Sequence, residues 1–363
     1  MLVHDHSERI TEQTDVHSPH RALTWDEART TAHRAASVTP PEPVALPQAL
    51  DRVLAEPLRA VIAVPPVDCS AMDGYAVCGP PPWSVIAQVR AGDGVPKPLR
   101  PGTACEVATG APVPQWTTGV LPYEQARRAG ELVSGRVGPG QHVRHAGEEC
   151  AAGDEVLPAG ALLGPAGLGL VAALGHDIVR ARRAPRVGAI VTGNELLDAG
   201  IPAPGQVRDA IGPMLPGLTA WAGGHLHATT PLADSTALLV AALRAAEGEV
   251  ILVSGSSSRG PADHLRTALV ALRAELVVDG VACRPGHPQA LARLPGGQLV
   301  VGLPGNPLAA FVAFLTLALP AITGLLGRPL AVLAPASPLP GSPGVTRLVP
   351  VRVRGRDIEA LPH

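Results

Sequence analysis

At 363 residues, 46% hydrophobic and 17% charged, the chain has enough apolar material for more than one core, which excludes general disorder. A net charge of −2 excludes a large basic surface, and with it nucleic acid as a main partner. Cys69, Cys78, Cys105, Cys150 and Cys283 are scattered without a CxxC pair, which argues against a disulfide framework or structural zinc and for reduced, structural thiols.

The first twenty residues are polar and His-rich and lack a basic-plus-apolar leader, so they read as a disordered tail on a cytoplasmic protein. Thr24 to Ala36 reads as a helix, with Thr24 and Glu27 spaced as a capping box. Leu46 to Leu58 reads as a second helix or a helix–strand unit. Across 59–138, short Val-rich runs alternate with Pro/Gly turns: Val61–Val64, Tyr75–Val77, Ser84–Val89, Ala104–Ala108, Gly119–Pro122 and Glu131–Val133. That is the pattern of a small β domain. Pro165 to Leu174 reads as a helix, with Pro early and Gly175 just beyond its end.

From Pro185 the pattern changes to alternating strands and helices. Val187–Val191, Val250–Val253, Leu276–Val281 and Leu299–Gly302 read as strands; Val207–Trp221, Thr236–Ala246, Asp263–Leu272 and Leu308–Leu317 read as helices, the first a poor one because of Gly212, Pro213 and Pro216. Such alternation predicts a mostly parallel sheet covered by helices on both faces, within an α/β multidomain chain. The apolar stretch Leu308 to Leu326 is broken by Pro320 and reads as a buried helix, not a membrane span.

Ligands of open α/β sheets sit beyond the carboxyl ends of the strands. Three loops fall there: Thr192-Gly193-Asn194-Glu195, Ser254-Gly255-Ser256-Ser257-Ser258-Arg259-Gly260, and Gly302 to Pro307. The Ser254–Gly260 loop suits an anion, because its glycines let backbone N–H groups approach and its hydroxyls donate. It is not a Walker A loop, since the Gly-Lys-Ser/Thr ending is absent. Arg284-Pro285-Gly286-His287-Pro288 offers two basic groups to the same anion, or is an ordinary turn. In the β domain, Asp73 before Gly74 is either a turn residue or a catalytic or metal carboxylate.

Taken in order, these segments resemble the molybdopterin molybdenumtransferases, the family of bacterial MoeA and the E domain of gephyrin. The resemblance runs from about Ala22 to Leu330 through Asp51–Ala55, Ser70–Ala76, Thr109–Pro114, Gly147–Glu149, Thr192–Leu196, Gly205-Gln206 with Asp209, Ser254-Gly255, Gly260 with Asp263, Pro285-Gly286 with Pro288, and Gly302–Pro307. It implies an elongated mixed domain from 21–58 and 139–184, the small β domain, a three-layer, MogA-like molybdopterin-binding α/β domain at 185–327, and a shortened C-terminal β domain at 328–363. It also implies a homodimer whose cleft is shared between subunits, Mg²⁺-dependent insertion of molybdate into adenylylated molybdopterin with release of AMP, and a partnership with the molybdopterin adenylyltransferase.

Carried onto this chain, the implied catalytic residues are Asp73, Thr109, Glu195 and Arg284. The pterin nucleotide falls to Gly255, Ser256, Ser257, Ser258, Gly260, Asp263, Pro285, Gly286, His287, Pro304, Gly305 and Asn306, and the metal to Glu149, Glu195 and Asp209. The chain departs from the family at several of these places. Ser256 and Ser257 replace a Gly-Val pair, Asn194 replaces an aspartate, Ala210 and Ile211 replace two polar residues, and His287 and Gly280 stand at lysine positions. A catalytically impaired paralogue that binds the pterin or serves as a scaffold is therefore the alternative reading.

Overall fold

Helix α1 (Trp25–Arg34) opens the described chain, and its start is fixed by the capping box read from the sequence. Thr24 Oγ1 accepts from the Glu27 amide, and the Thr24 amide donates to Glu27 Oε2 at 2.8 Å. The computed structural model describes residues 22–255, 264–331, 344–354 and 357–360. The expected disordered tail lies outside them. The described residues divide into two units, one formed by 39–183 with 326–328, the other by the remainder.

In the first unit, six strands form one sheet: β1 (Gly74–Cys78), β2 (Trp83–Val89), β3 (Thr103–Val107), β4 (Gly119–Pro122), β5 (Arg127–Ala129) and β6 (Leu132–Ser134). Their order is β4-β1-β3-β2-β6-β5. Strand β1 is buried along its whole length. Ala76 and Cys78 face one cluster with Cys105, Val107 and Val120, while Tyr75 and Val77 face another with Trp83, Ala104 and Leu121. Alternate side chains thus feed two cores, which is why a continuous apolar run marks this strand. Beside the sheet, Pro41–Ala45 pairs antiparallel with Ile178–Arg182, and helix α2 (Pro165–Ala173) packs Val171 with Val44, Leu54 and Leu163.

Two expectations are revised here. Of the two readings of Leu46 to Leu58, the single helix fails and the helix–strand unit is nearer: a 3₁₀ turn at Leu46–Gln48 is followed by single bridges from Val53 to Leu162 and Leu54 to Ala181, then a short strand, Leu58–Arg59. Asp51 takes a left-handed φ of 59°, which no helix tolerates. Val61–Val64 forms no strand either. Pro65 and Pro66 follow it without amides to donate, and only Val64 bridges, to Cys150.

The second unit carries a six-stranded sheet: β7 (Arg186–Thr192), β8 (His225–Leu232), β9 (Val250–Ser254), β10 (Glu275–Asp279), β11 (Ala290–Arg293) and β12 (Leu299–Leu303). The order is β8-β7-β9-β12-β11-β10; the first four run parallel, and β11 runs antiparallel to both of its neighbours. Helices α3 (Leu215–Trp221), α4 (Thr236–Ala245) and α5 (His264–Ala271) follow in the chain. Leu239 and Leu243 of α4 and Leu265 and Leu269 of α5 bury Ile190, Ile251, Val253 and Val300 on one face of the sheet. Helix α6 (Pro307–Ala313) and the turn that follows it pack on β12, with α7 (Leu319–Leu325) beyond them against α1, and central Leu252 is fully buried. Leu252→Ala should therefore cost about 2–5 kcal/mol of stability, read as a lower midpoint in urea unfolding.

Between α6 and α7 the helix widens into a π turn, Phe314–Ala318. Pro320 has no amide and its ring crowds the turn behind it, and the extra residue absorbs that conflict. The 307–325 stretch is long and apolar enough to cross a membrane by composition, but most of it is buried in the protein core. Trp25 Nε1 of α1 donates to Thr316 Oγ1 at 2.9 Å inside it.

The segment expected as one helix from Val207 to Trp221 is broken. Val207–Arg208 pairs with Leu196–Leu197, a 3₁₀ turn covers Gly212–Met214, and only α3 is helical, because Pro213 and Pro216 each need a helix start. In the C-terminal stretch, Thr346–Arg347 pairs with Cys283–Arg284, and Val351–Arg354 pairs with Asp357–Ala360.

Candidate active site

Because β7, β9 and β12 are adjacent and parallel, their carboxyl ends bring Thr192, Ser254–Gly255 and Leu303 side by side. Thr192 Oγ1 donates to the Ser254 carbonyl at 2.9 Å, and the Gly255 amide donates to the Leu303 carbonyl at 3.3 Å. Gly255 has a φ of 88°, and a Cβ there would lie 2.1 Å from the Thr192 carbonyl oxygen. Only glycine permits both this backbone conformation and this contact. A Cβ on Gly305 would stand 3.8 Å from the Gly255 Cα. Ser256, Ser257, Ser258, Gly260 and Asp263 lie outside the described residues.

The other candidates of this unit fall around these loops. Asn306 caps α6, its Oδ1 accepting from the Ala309 amide at 3.1 Å. Pro304 is buried between Leu303 and Gly305. Gly286 backs onto α6, where a Cβ would sit 3.3 Å from the Ala309 carbonyl oxygen. In the same turn Pro285 is half-buried, and Arg284 and His287 are exposed. His287 Nδ1 donates to the Val281 carbonyl at 2.8 Å, which leaves Nε2 as its outward nitrogen. Glu195 is exposed, and the Val207 amide donates to its backbone carbonyl. Asp209 Oδ1 accepts from the amides of Ile211 and Gly212 at 2.9 Å each.

In the first unit, Asp73 and Thr109 come together. Asp73 Oδ1 accepts from the Thr109 amide at 2.6 Å and from its hydroxyl at 2.8 Å. The amide, then the hydroxyl, hold the Asp73 carboxyl below its usual range. Glu149 is ion-paired with Arg144. Among the described residues, no three or more His, Cys, Asp or Glu side chains gather to hold a metal. Mg²⁺ takes only one or two protein carboxylates when substrate phosphates and water complete its shell, so it does not require such a gathering.

Comparison with known proteins agrees with this arrangement. Residues 23–175 match the MoeA N-terminal region, domains I and II, and residues 188–324 match the probable molybdopterin binding domain. Over 309 residues the chain is 35% identical to molybdopterin molybdenumtransferase 2 of Mycobacterium tuberculosis, an alignment covering 80% of this chain and 76% of that one. The chain belongs to the molybdopterin molybdenumtransferase family. The molybdopterin molybdenumtransferase of Staphylococcus aureus is 28% identical over 306 residues, covering 80% of this chain and 73% of its own. The solved molybdopterin biosynthesis moeA protein of Pyrococcus horikoshii matches with a TM-score of 0.79 at 25% identity, over 94% of this chain and 90% of that one.

Within this molybdenumtransferase fold, several groups at the site escape sequence reasoning. Asn194 and Asp234 clasp reciprocally: the Asn194 amide donates to Asp234 Oδ2 and the Asp234 amide to Asn194 Oδ1, each at 3.1 Å. Asn194 thereby ties the loop after β7 to the loop before α4. Both residues lie at or beside a cavity of about 490 Å³ that Asp198 and Asp209 also line. Near Asp73, the Tyr123 hydroxyl donates to Glu106 Oε1 at 2.7 Å, and Arg128 donates to the Tyr75 hydroxyl at 3.3 Å. The Tyr123 amide reaches the Asp73 carbonyl at 3.3 Å, so this polar chain braces the residue before β1. These partners are far apart in sequence, and no local motif joins them. Burial pushes the thiols of Cys105 and Cys283 up to about 11, which suits structural cysteines.

Asp209 has a structural duty of its own in capping the Ile211 and Gly212 amides. Asp209→Ala should cost about 1 kcal/mol by freeing the two amides it caps, measured by urea unfolding without metal. If it also serves Mg²⁺, the same variant will need more Mg²⁺ for half-maximal turnover.

Proposed function

We propose that this chain acts in molybdenum cofactor biosynthesis as a cytoplasmic molybdopterin molybdenumtransferase, inserting molybdate into adenylylated molybdopterin and releasing AMP. The observation that carries the reading is the junction of three strand ends, where Gly255 packs on Thr192 and Leu303 beside Gly305. The loop that continues from a backbone drawn this close starts at the carboxyl ends of parallel strands, where phosphates of α/β-sheet ligands bind.

In this reading Gly255, Ser256, Ser257, Ser258 and Gly260 hold the diphosphate, and Asp263, Pro304, Gly305 and Asn306 complete the wall of the nucleotide site. Pro285, Gly286 and His287 shape the turn that presents Arg284, whose guanidinium orients the molybdate oxyanion. Glu195 and Asp209, with Glu149, hold Mg²⁺, which offsets the negative charge gathered where the phosphoanhydride breaks. Asp73, kept ionised by Thr109, orients the reacting groups. The active form is a homodimer that receives its substrate from the molybdopterin adenylyltransferase.

Reconstitution tests the reading. The chain is incubated with adenylylated molybdopterin, molybdate and Mg²⁺, and the mixture is added to a metal-free apo-molybdoenzyme. Recovered oxidoreductase activity is the expected outcome. Tight binding of the pterin nucleotide without any recovery would overturn the reading in favour of a binding or scaffold paralogue.

A further inference from the structure

The buried carboxamide of Gln289 has no place in the roles assigned above. Gln289 stands just before β11, is fully buried, and directs its Nε2 into the turn that carries Arg284. Nε2 donates to the Gly286 carbonyl at 2.9 Å and to Cys283 Sγ at 3.2 Å. The Cys283 thiol in turn donates to the Pro285 carbonyl at 3.4 Å. Backbone bonds close the same turn at its ends: the Val281 amide donates to the His287 carbonyl and the Gly280 amide to the Gln289 carbonyl, each at 3.0 Å.

Gln289 Oε1 has no hydrogen-bond partner among the described residues. An unmet acceptor in a core lowers stability, and an apolar side chain of the same length would avoid it. Turning the amide over does not help, because Oε1 would then meet the Gly286 carbonyl, another acceptor. The fold thus carries a polar group here whose side-chain bonds both go to one turn. Their effect is to hold the carbonyls of Pro285 and Gly286 toward Cys283 and Gln289. In a trans peptide the N–H points opposite to the C=O, so the amides of Gly286 and His287 point the other way. Neither amide has an acceptor among the described residues. Arg284, exposed, begins the same turn.

We propose that Gln289 is a positioning residue for the reaction: through the carbonyls of Pro285 and Gly286 it fixes the turn that presents Arg284 and sets the direction of the two adjacent backbone amides. Successive amides backed by a guanidinium form a seat for an oxyanion. The inference rests on the proposed function for the task of Arg284, and it adds what holds that residue's turn in place. Cys283, 1% exposed, is the relay from Gln289 to the Pro285 carbonyl and acts through its hydrogen bonds.

Equilibrium dialysis of the full chain against molybdate, set beside urea unfolding, tests it. The parent should bind molybdate saturably. Gln289→Met fills the same space without the amide and without the unmet acceptor, so its urea midpoint should stay near the parent's while molybdate binds roughly tenfold more weakly. A merely structural role would lower the midpoint and leave the affinity of the folded chain unchanged. In the reconstitution assay the same variant should raise the molybdate concentration for half-maximal recovery and leave that of the pterin nucleotide alone. Cys283 supplies an independent pair should Gln289→Met fail to fold. Cys283→Ser, whose hydroxyl still accepts and donates, should bind molybdate within about twofold of the parent, and Cys283→Ala roughly fivefold more weakly. Parental affinity in Gln289→Met, or equal affinity in the two Cys283 variants, would overturn the inference. Molybdate binding that depends on Gln289 in a chain that fails reconstitution would refute the activity and leave the inference standing, whereas a parent that binds no molybdate would refute the role of Arg284 and this inference with it.

Discussion

Gly255→Ala should destabilise the chain by about 2–4 kcal/mol and weaken adenylylated molybdopterin binding by more than tenfold. Two costs combine at this position. The φ of 88° is strained for any L side chain, and the new methyl would collide with the Thr192 carbonyl oxygen, from which it would stand 2.1 Å. The carbonyl belongs to β7, a strand paired on both sides, so it cannot retreat. The loop must move instead, and with it the Gly255 amide that reaches Leu303. Urea unfolding measures the first effect and equilibrium dialysis the second. A variant with parental stability and affinity would show that the three strand ends do not form a rigid cradle.

Asp73→Asn should keep the fold and lower turnover by about a hundredfold or more, with little change in affinity for the pterin nucleotide. The carboxylate is exposed at the start of β1, so no core depends on it. Asparagine can still accept from the Thr109 amide and hydroxyl but carries no charge. The ionisation argument adds a pH signature. Because Thr109 lowers the Asp73 pKa, the charged form is complete above the usual carboxylate range and is lost only as pH falls through the lowered value. Parental activity should therefore persist to more acidic pH than in Thr109→Val, where the hydroxyl donor is gone and only the residue-109 amide still holds the carboxylate. Equal turnover in Asp73→Asn and parent would reduce Asp73 to a turn residue.

The sequence revealed what is local. The capping box of α1, the Pro165 start of α2 and the buried runs β7, β9 and β12 depend on neighbouring residues or on strand length, and each was legible. The juxtaposition of Thr192, Gly255 and Gly305 also followed, because parallel strands with helical crossovers must carry the loops at their carboxyl ends on one side. Edge strand β8 was missed because its sequence, His225–Leu232, faces solvent along most of its length and shows no apolar alternation. Strand β11 was missed because four residues after a Pro/Gly turn give too short a period to read. The single-helix reading of Leu46–Leu58 failed because its apolar spacing serves bridges to distant residues, Leu162 and Ala181, rather than a helix face. At the site, motif order located Asp73 and Thr109 but not the bond between them. The same order gave no hint that Asp209 caps its own turn, that Asn194 clasps Asp234, or that Gln289 donates into the turn that carries Arg284.

The central claim is that the Gly255 cradle and Asp73 serve one reaction on a pterin nucleotide. Its most direct test is the release of AMP from adenylylated molybdopterin by the unmodified chain, followed with Mg²⁺ present and molybdate added or withheld. The account predicts catalytic AMP release that depends on molybdate. Nucleotide that stays bound and intact at saturating molybdate would contradict it.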